Sequence, residues 1–154
     1  VERLDDYTIR GWMRCTPEGG GWGNGAGKAD YTVYYYARFD KPMKDYGVWS
    51  ADFPEGMPRK LENVTSSEYA GYVRRAKVTE RPDEMEGRHL GFYTQFPTKA
   101  GEQVVLRVAV SFASMEGAET NFNAELRKGD FDDYRERAAR MWDRALSKIR
   151  VDGP

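Results

Sequence analysis

Few residues in this chain have types and spacings that could do chemistry, and the most conspicuous lie between Gly19 and Gly27. There the stretch GGGWGNGAG encloses Trp22 and Asn24 and is followed by Lys28. A glycine-rich loop can cradle a phosphate, and an exposed tryptophan can stack on a sugar ring. The phosphate reading fails on pattern. A nucleotide loop needs G-x-x-x-x-G-K-[ST] ahead of a helix, but Gly27-Lys28 is followed by Ala29 and Trp22 stands five residues before Gly27. No register gives G-x-G-x-x-G, and the residues that follow alternate as a strand does. What remains is a connection between strands, with Asn24-Gly25 suited to a tight turn of positive φ. Trp22 then has three readings, taken in this order: folding back on its own sheet, facing another domain, or touching sugar.

The remaining reactive types are thinly spread. His89 sits in a strand pattern with no serine or cysteine arranged as a triad, which favours a structural role. Cys15 is the one cysteine, so it forms no internal disulfide, and no Cys/His cluster has zinc spacing; it reads as a small, partly buried apolar residue. Carboxylates abound, among them Asp5, Asp6, Glu55, Glu116, Glu119, Asp130, Asp132 and Asp133. A glycosidase needs two of them placed across a bond, which linear spacing cannot show in a β protein. Capping explains the Asp130 group, and no loop has the alternating ligands of a calcium site. Read by residue chemistry alone, the chain holds no catalytic residue and no metal ligands. Aromatic residues such as Trp22, Trp49, Tyr34 and Tyr36 leave open a sugar-stacking role.

The elements that must position these residues are mainly strands. In YTVYYYARFD, residues 31 to 40, Tyr31, Val33, Tyr35, Ala37 and Phe39 share one face, and Pro42 ends the run. YGVWSADF sets Trp49, Ala51 and Phe53 together, and HLGFYTQFP does so for Leu90, Phe92 and Phe96. EQVVLRVAVSFAS aligns Val104, Leu106, Val108, Val110 and Phe112 opposite Gln103, Arg107 and Ser111. Glycine- and proline-rich turns separate these runs, as an antiparallel sandwich requires. The last third turns helical. A short helix is expected over Ala118 to Leu126, and a longer one over Phe131 to Ile149 with Asp130 as N-cap. In the longer helix Phe131, Tyr134, Ala138, Met141, Trp142, Ala145 and Ile149 form a stripe against charged Arg135, Glu136, Arg140 and Lys148. That stripe reads as a packing face between domains. The expected division is a β-sandwich segment over 1–116 and linker helices over 117–154, leaving through VDGP toward a further domain.

Composition sets the outer bounds. The 154 residues suffice for one domain with a core; 14% aromatic content argues against disorder and 32% charged residues against a membrane protein. No apolar run approaches the roughly 20 residues of a bilayer span. Lys and Arg number 24 against 25 Asp and Glu, so no charge excess steers the chain to nucleic acid or anionic lipid. The sequence opens at Val1 without a methionine or signal peptide, as expected of a processed or excised piece.

Three stretches carry a family resemblance. YTIRGWM, VYYYARFDKPMKDYGVW and LRVAVSFASMEGAETNFNAELRKGDFDDYRERAARMWDRALSKIRVDG occur in this order. Together they resemble the N-terminal domain of the glycoside hydrolase family 92 α-mannosidases, over nearly the whole chain and least between Pro54 and Arg88. The resemblance implies a mainly β fold: an antiparallel β-sandwich, a segment of a galactose-mutarotase-like supersandwich, with C-terminal α-helices. It implies a parent that is a calcium-dependent, inverting exo-α-mannosidase acting on mannose-containing glycans. In such an enzyme one carboxylic acid protonates the leaving oxygen and a carboxylate base activates water, the two roughly 6.5–9.5 Å apart. The family's acid, base and calcium ligands belong to an (α/α)6 domain that would follow Pro154, so no catalytic residue carries over to this chain. The partners implied are that catalytic domain and, through it, the glycan; the implied address is the periplasm or exterior of a bacterium. A free-standing carbohydrate-binding or protein-interaction sandwich is the alternative.

Overall fold

The computed structural model describes residues 1–15, 30–54 and 67–149. In chain order the elements are β1 (Glu2–Arg3), β2 (Thr8–Cys15), β3 (Tyr31–Phe39), β4 (Asp45–Ser50), α1 (Ser67–Arg74), β5 (Lys77–Glu80), β6 (Leu90–Gln95), β7 (Leu106–Ser111), α2 (Met115–Glu125) and α3 (Phe131–Leu146). The strands form two antiparallel sheets, one ordered β1-β2-β3-β7 and the other β5-β4-β6. The chain is thus mainly β with C-terminal helices, as its alternation predicts.

Alternation assigns each face of the four-stranded sheet. Ile9 lies opposite Ala37 and Gly11 opposite Tyr35, so these residues share a face with Phe39. That face meets the smaller sheet: Ile9, Ala37 and Met43 form the core, with Val1, Tyr35, Phe39, Phe92 and Phe96 packed around it. The rings of Phe39 and Phe96 stand 4.9 Å apart. Tyr46, buried on β4, has the guanidinium groups of Arg3 and Arg81 over its ring, 5.1 and 5.8 Å from its centroid. The opposite face of the larger sheet carries α2, where Phe122 is 4% exposed and meets the Tyr36 ring at 4.9 Å.

Three strand glycines have a common cause. Gly11 is paired with Tyr35, Gly47 with Tyr93 and Gly91 with Trp49. In each pair the aromatic ring fills the space where the glycine's Cβ would stand, with nearest approaches of 2.8, 2.6 and 2.0 Å. A glycine weakens a strand unless a neighbour covers it, and here the cross-strand ring does so.

Several boundaries differ from those the sequence suggests. β7 starts at Leu106 and not near Glu102, because Gly101, at φ +80°, sits in a turn closed by the Glu102 N–H on the Lys99 carbonyl. The Val105 N–H then donates to the Asp40 carboxylate at 2.9 Å. α2 begins at Met115, three residues before the expected Ala118, since Ser114 accepts from the Gly117 N–H as N-cap. α3 ends at Leu146, short of Ile149. Strands β1, β2 and β5 and helix α1 had no sequence counterpart. Among the described residues no helix is long and apolar enough to cross a membrane.

Candidate functional site

The glycine loop with Trp22 and Asn24 lies outside the described residues. Trp49 is described: it lies half-buried on β4, with its indole resting against Gly91. Tyr36 packs on Phe122, and burial, chiefly, pushes its phenol above the usual tyrosine range. Both rings are therefore engaged in packing within the domain. His89 adopts φ +59° just before β6 and meets the Phe53 ring edge-on at 4.8 Å. Cys15 is buried at the end of β2.

Where β3 ends and β7 begins, toward the helical arm, lies a polar cleft of about 170 Å³, lined by Tyr7, Arg38, Phe39, Asp40, Val105 and Arg107. Its charges are spoken for. The Arg38 guanidinium donates to the buried Thr8 hydroxyl at 2.5 Å and to the Asp5 carboxylate at 3.2 Å, and lies over the Tyr7 ring. Burial pushes the Asp5 carboxyl up, but hydrogen bonds from the Tyr7 N–H, Thr8 and Arg38, with the Arg38 charge, outweigh it and hold Asp5 below the usual carboxylate range. Arg107 reaches out of the cleft to the Gly129 carbonyl at 2.8 Å, tying the root of α3 to the sheet. No group of three or more His, Cys, Asp or Glu among the described residues is placed to hold a metal ion, so no calcium chemistry is derived from them.

The largest exposed feature is α3. Its start is locally fixed: Asp130 accepts from the Asp133 N–H at 3.0 Å, and the Asp133 carboxylate accepts from the Asp130 N–H at 2.9 Å. The Tyr134 hydroxyl donates to the Lys128 carbonyl, and Arg137 covers the Tyr134 ring at 4.9 Å. Past the first turn Arg137 donates to the Glu125 carbonyl of α2 at 3.4 Å, and no described element lies along the rest of the helix. Phe131, Met141 and Trp142 are 66–67% exposed, and Leu146 and Ile149 more so. Leu146, which the sequence reading passed over, joins the stripe because it follows Trp142 by one turn. Sixteen helical residues present about 24 Å of apolar stripe. In a monomeric soluble domain such a stripe ordinarily faces a core.

A second apolar surface runs along β7. Leu106, Val108 and Val110 are 48, 45 and 50% exposed and Phe112 is 71% exposed. The alternation foreseen for this strand holds, but the residue buried under α2 is Ala109, on the other side.

The comparisons with known proteins agree with this architecture. The family profile described as the glycosyl hydrolase family 92 N-terminal domain matches residues 1–111. Among solved structures, the family GH92 inverting mannosidase of Bacteroides thetaiotaomicron VPI-5482 is similar, with a TM-score of 0.68 and 20% identity. The match covers 96% of this chain and 16% of that one, so the chain spans about a sixth of that structure's length. No curated protein matches the chain in sequence. On the family match, with the two-sheet fold beneath it, this chain belongs to glycoside hydrolase family 92, in the region of its N-terminal domain.

Proposed function

We propose that this chain is a non-catalytic segment of the N-terminal domain of a calcium-dependent, inverting exo-α-mannosidase that acts on mannose-containing glycans. Its sheets form the scaffold, and α3 serves as a linker helix packing against an (α/α)6 catalytic domain of the same polypeptide. The observation that carries the packing role is the open stripe of Phe131, Met141, Trp142 and Leu146 on a helix that no described element covers. Burying one such side chain is worth about 1.5–3 kcal/mol, so four of them suffice to dock a domain. Trp22 and Asn24, on the glycine loop, are candidates for the same interface or for the sugar, and Trp49 is the third such candidate through the part of its ring that packing on Gly91 leaves exposed. Acid, base and calcium ligands are supplied by the catalytic domain, and the parent works in the periplasm or outside the cell.

The experiment is expression of the polypeptide encoded on both sides of these residues, in wild-type form and with Met141→Glu and Trp142→Glu together. The wild type should release mannose from an aryl α-mannoside in a calcium-dependent reaction, with the inverted anomer seen by NMR. The double variant should lose activity at least tenfold and gain protease sensitivity near α3. A reading frame that stops at Pro154, or a variant as active and as resistant as wild type, overturns the proposal.

A further inference from the structure

The turn that joins α2 to α3 is exposed from Arg127 to Asp130, yet side chains hold three carbonyls around it. Arg137 donates to the Glu125 carbonyl at 3.4 Å, the Tyr134 hydroxyl to that of Lys128, and Arg107 to that of Gly129 at 2.8 Å. Arg137 and Tyr134 belong to α3 and travel with it. Among the described residues Arg107 is the one donor to these carbonyls that comes from a strand. Gly129 forms the corner at φ +104°, where a Cβ would also stand 3.2 Å from Asp133 Oδ2. The reciprocal bonds of Asp130 and Asp133 join that corner to the first turn of α3. On the other side α2 is seated on the larger sheet, by Phe122 against Tyr36 and by Asn121, which donates to the Val110 carbonyl at 2.9 Å. Two well-held bodies thus meet at a short exposed joint, and Arg107 bridges it.

The cross-strand neighbour of Arg107 accounts for its reach. Arg38 stands directly opposite it across β3 and β7, on the face that carries α2. Like charges so paired repel. Thr8 and Asp5 draw the Arg38 guanidinium toward β2, at 2.5 and 3.2 Å. Arg107 therefore turns the other way, where the Gly129 carbonyl receives it. We propose that Arg107 is a positioning residue: its hold on Gly129 sets the angle at which α3 leaves the sheets and presents Met141 and Trp142 to the catalytic domain. That last step rests on the reading of α3 as a linker helix, whereas the hold on Gly129 does not. A hydrogen bond from a charged donor shifts such an equilibrium about tenfold. A corner seated about ten to one then falls to about one to one when the bond is lost.

The test is residual dipolar couplings of the isotope-labelled 154-residue chain, compared with Arg107→Met, which keeps the stem without the donors, and Arg107→Lys, which restores one. In wild type the amides of α3 and of the sheets should fit one alignment. In Arg107→Met the α3 couplings should fall by about half, while those of β2, β3 and α2 and the signal at 222 nm stay as they were. Arg107→Lys should recover most of the loss. In the longer polypeptide Arg107→Met should lower kcat about twofold with KM unchanged, since only the seated fraction presents the stripe correctly, and Arg107→Lys should restore it. Wild-type α3 couplings that share no alignment with the sheets overturn the proposal. So do α3 couplings unmoved by Arg107→Met, or couplings that fall while kcat does not. A longer wild-type polypeptide without mannosidase activity refutes the mannosidase reading instead, and the couplings, measured without it, still decide whether Arg107 holds α3.

Discussion

Gly91 offers the sharpest test of the packing described here. A methyl group there would stand 2.0 Å from Trp49 Cε2 and 2.2 Å from Cζ2 and Nε1, so the indole must leave its seat. In the wild-type background Gly91→Ala combines two opposed effects. Overpacking costs about 1–3 kcal/mol. Replacing a strand glycine recovers about 0.5–1 kcal/mol of backbone entropy. The net expected loss is therefore about 0–2.5 kcal/mol. With Trp49→Ala already present the clash is gone, and the same substitution should stabilise by about 0.5–1 kcal/mol. The sign reversal is the signature, with a coupling of about 2 kcal/mol in the double-mutant cycle. Urea unfolding followed by far-ultraviolet circular dichroism reads all four proteins without relying on tryptophan emission. Equal losses in both backgrounds would refute the claim that the indole and the glycine share one space.

Three further outcomes follow from the same structure. Phe122→Ala removes the buried ring between α2 and Tyr36 and should cost about 3–5 kcal/mol, read as a lowered urea midpoint. Asp130→Ala breaks the reciprocal capping of α3; it should cost that helix about 0.5–2 kcal/mol and lower the helical signal near 222 nm. The acid limb of stability should depend on Asp5. Its folded pKa lies below the unfolded value of about 3.9, so its contribution is complete above that pH and is lost as pH falls through the folded value. Asp5→Asn should flatten the decline of the urea midpoint below about pH 4, and an unchanged slope would remove Asp5 from that account.

What the sequence disclosed depended on whether the signal was local. Helix α3 was legible because its cap and its stripe lie within one stretch, and the structure starts it at Phe131 as expected. The alternation of β3 gave its span to within a residue. β1 is two residues long and β5 is exposed throughout, so neither has a burial rhythm to read. Helix α1 is held by Tyr69 and Tyr72 against Phe53, a contact from an earlier segment that propensity cannot anticipate. For β7 the alternation was visible but not which face would be covered. That depends on where α2 lands, and Gly117 allows it to land on the Ser111 side, where a Cβ would meet Ser111 Oγ at 2.7 Å. The candidate sites divide in the same way. The stripe of α3 was readable, with Leu146 overlooked, whereas the seat of Trp49 depends on a register with Gly91 that the linear sequence does not contain.

The central claim is that this chain supplies scaffold and not catalysis. The most direct measurement is an α-mannosidase assay on the purified, folded 154-residue protein, with aryl α-mannoside, excess calcium and a sensitive detection of released mannose. The account predicts no release above the uncatalysed rate. Sustained turnover that copurifies with the chain would contradict it and would place a catalytic pair of carboxylates within these residues.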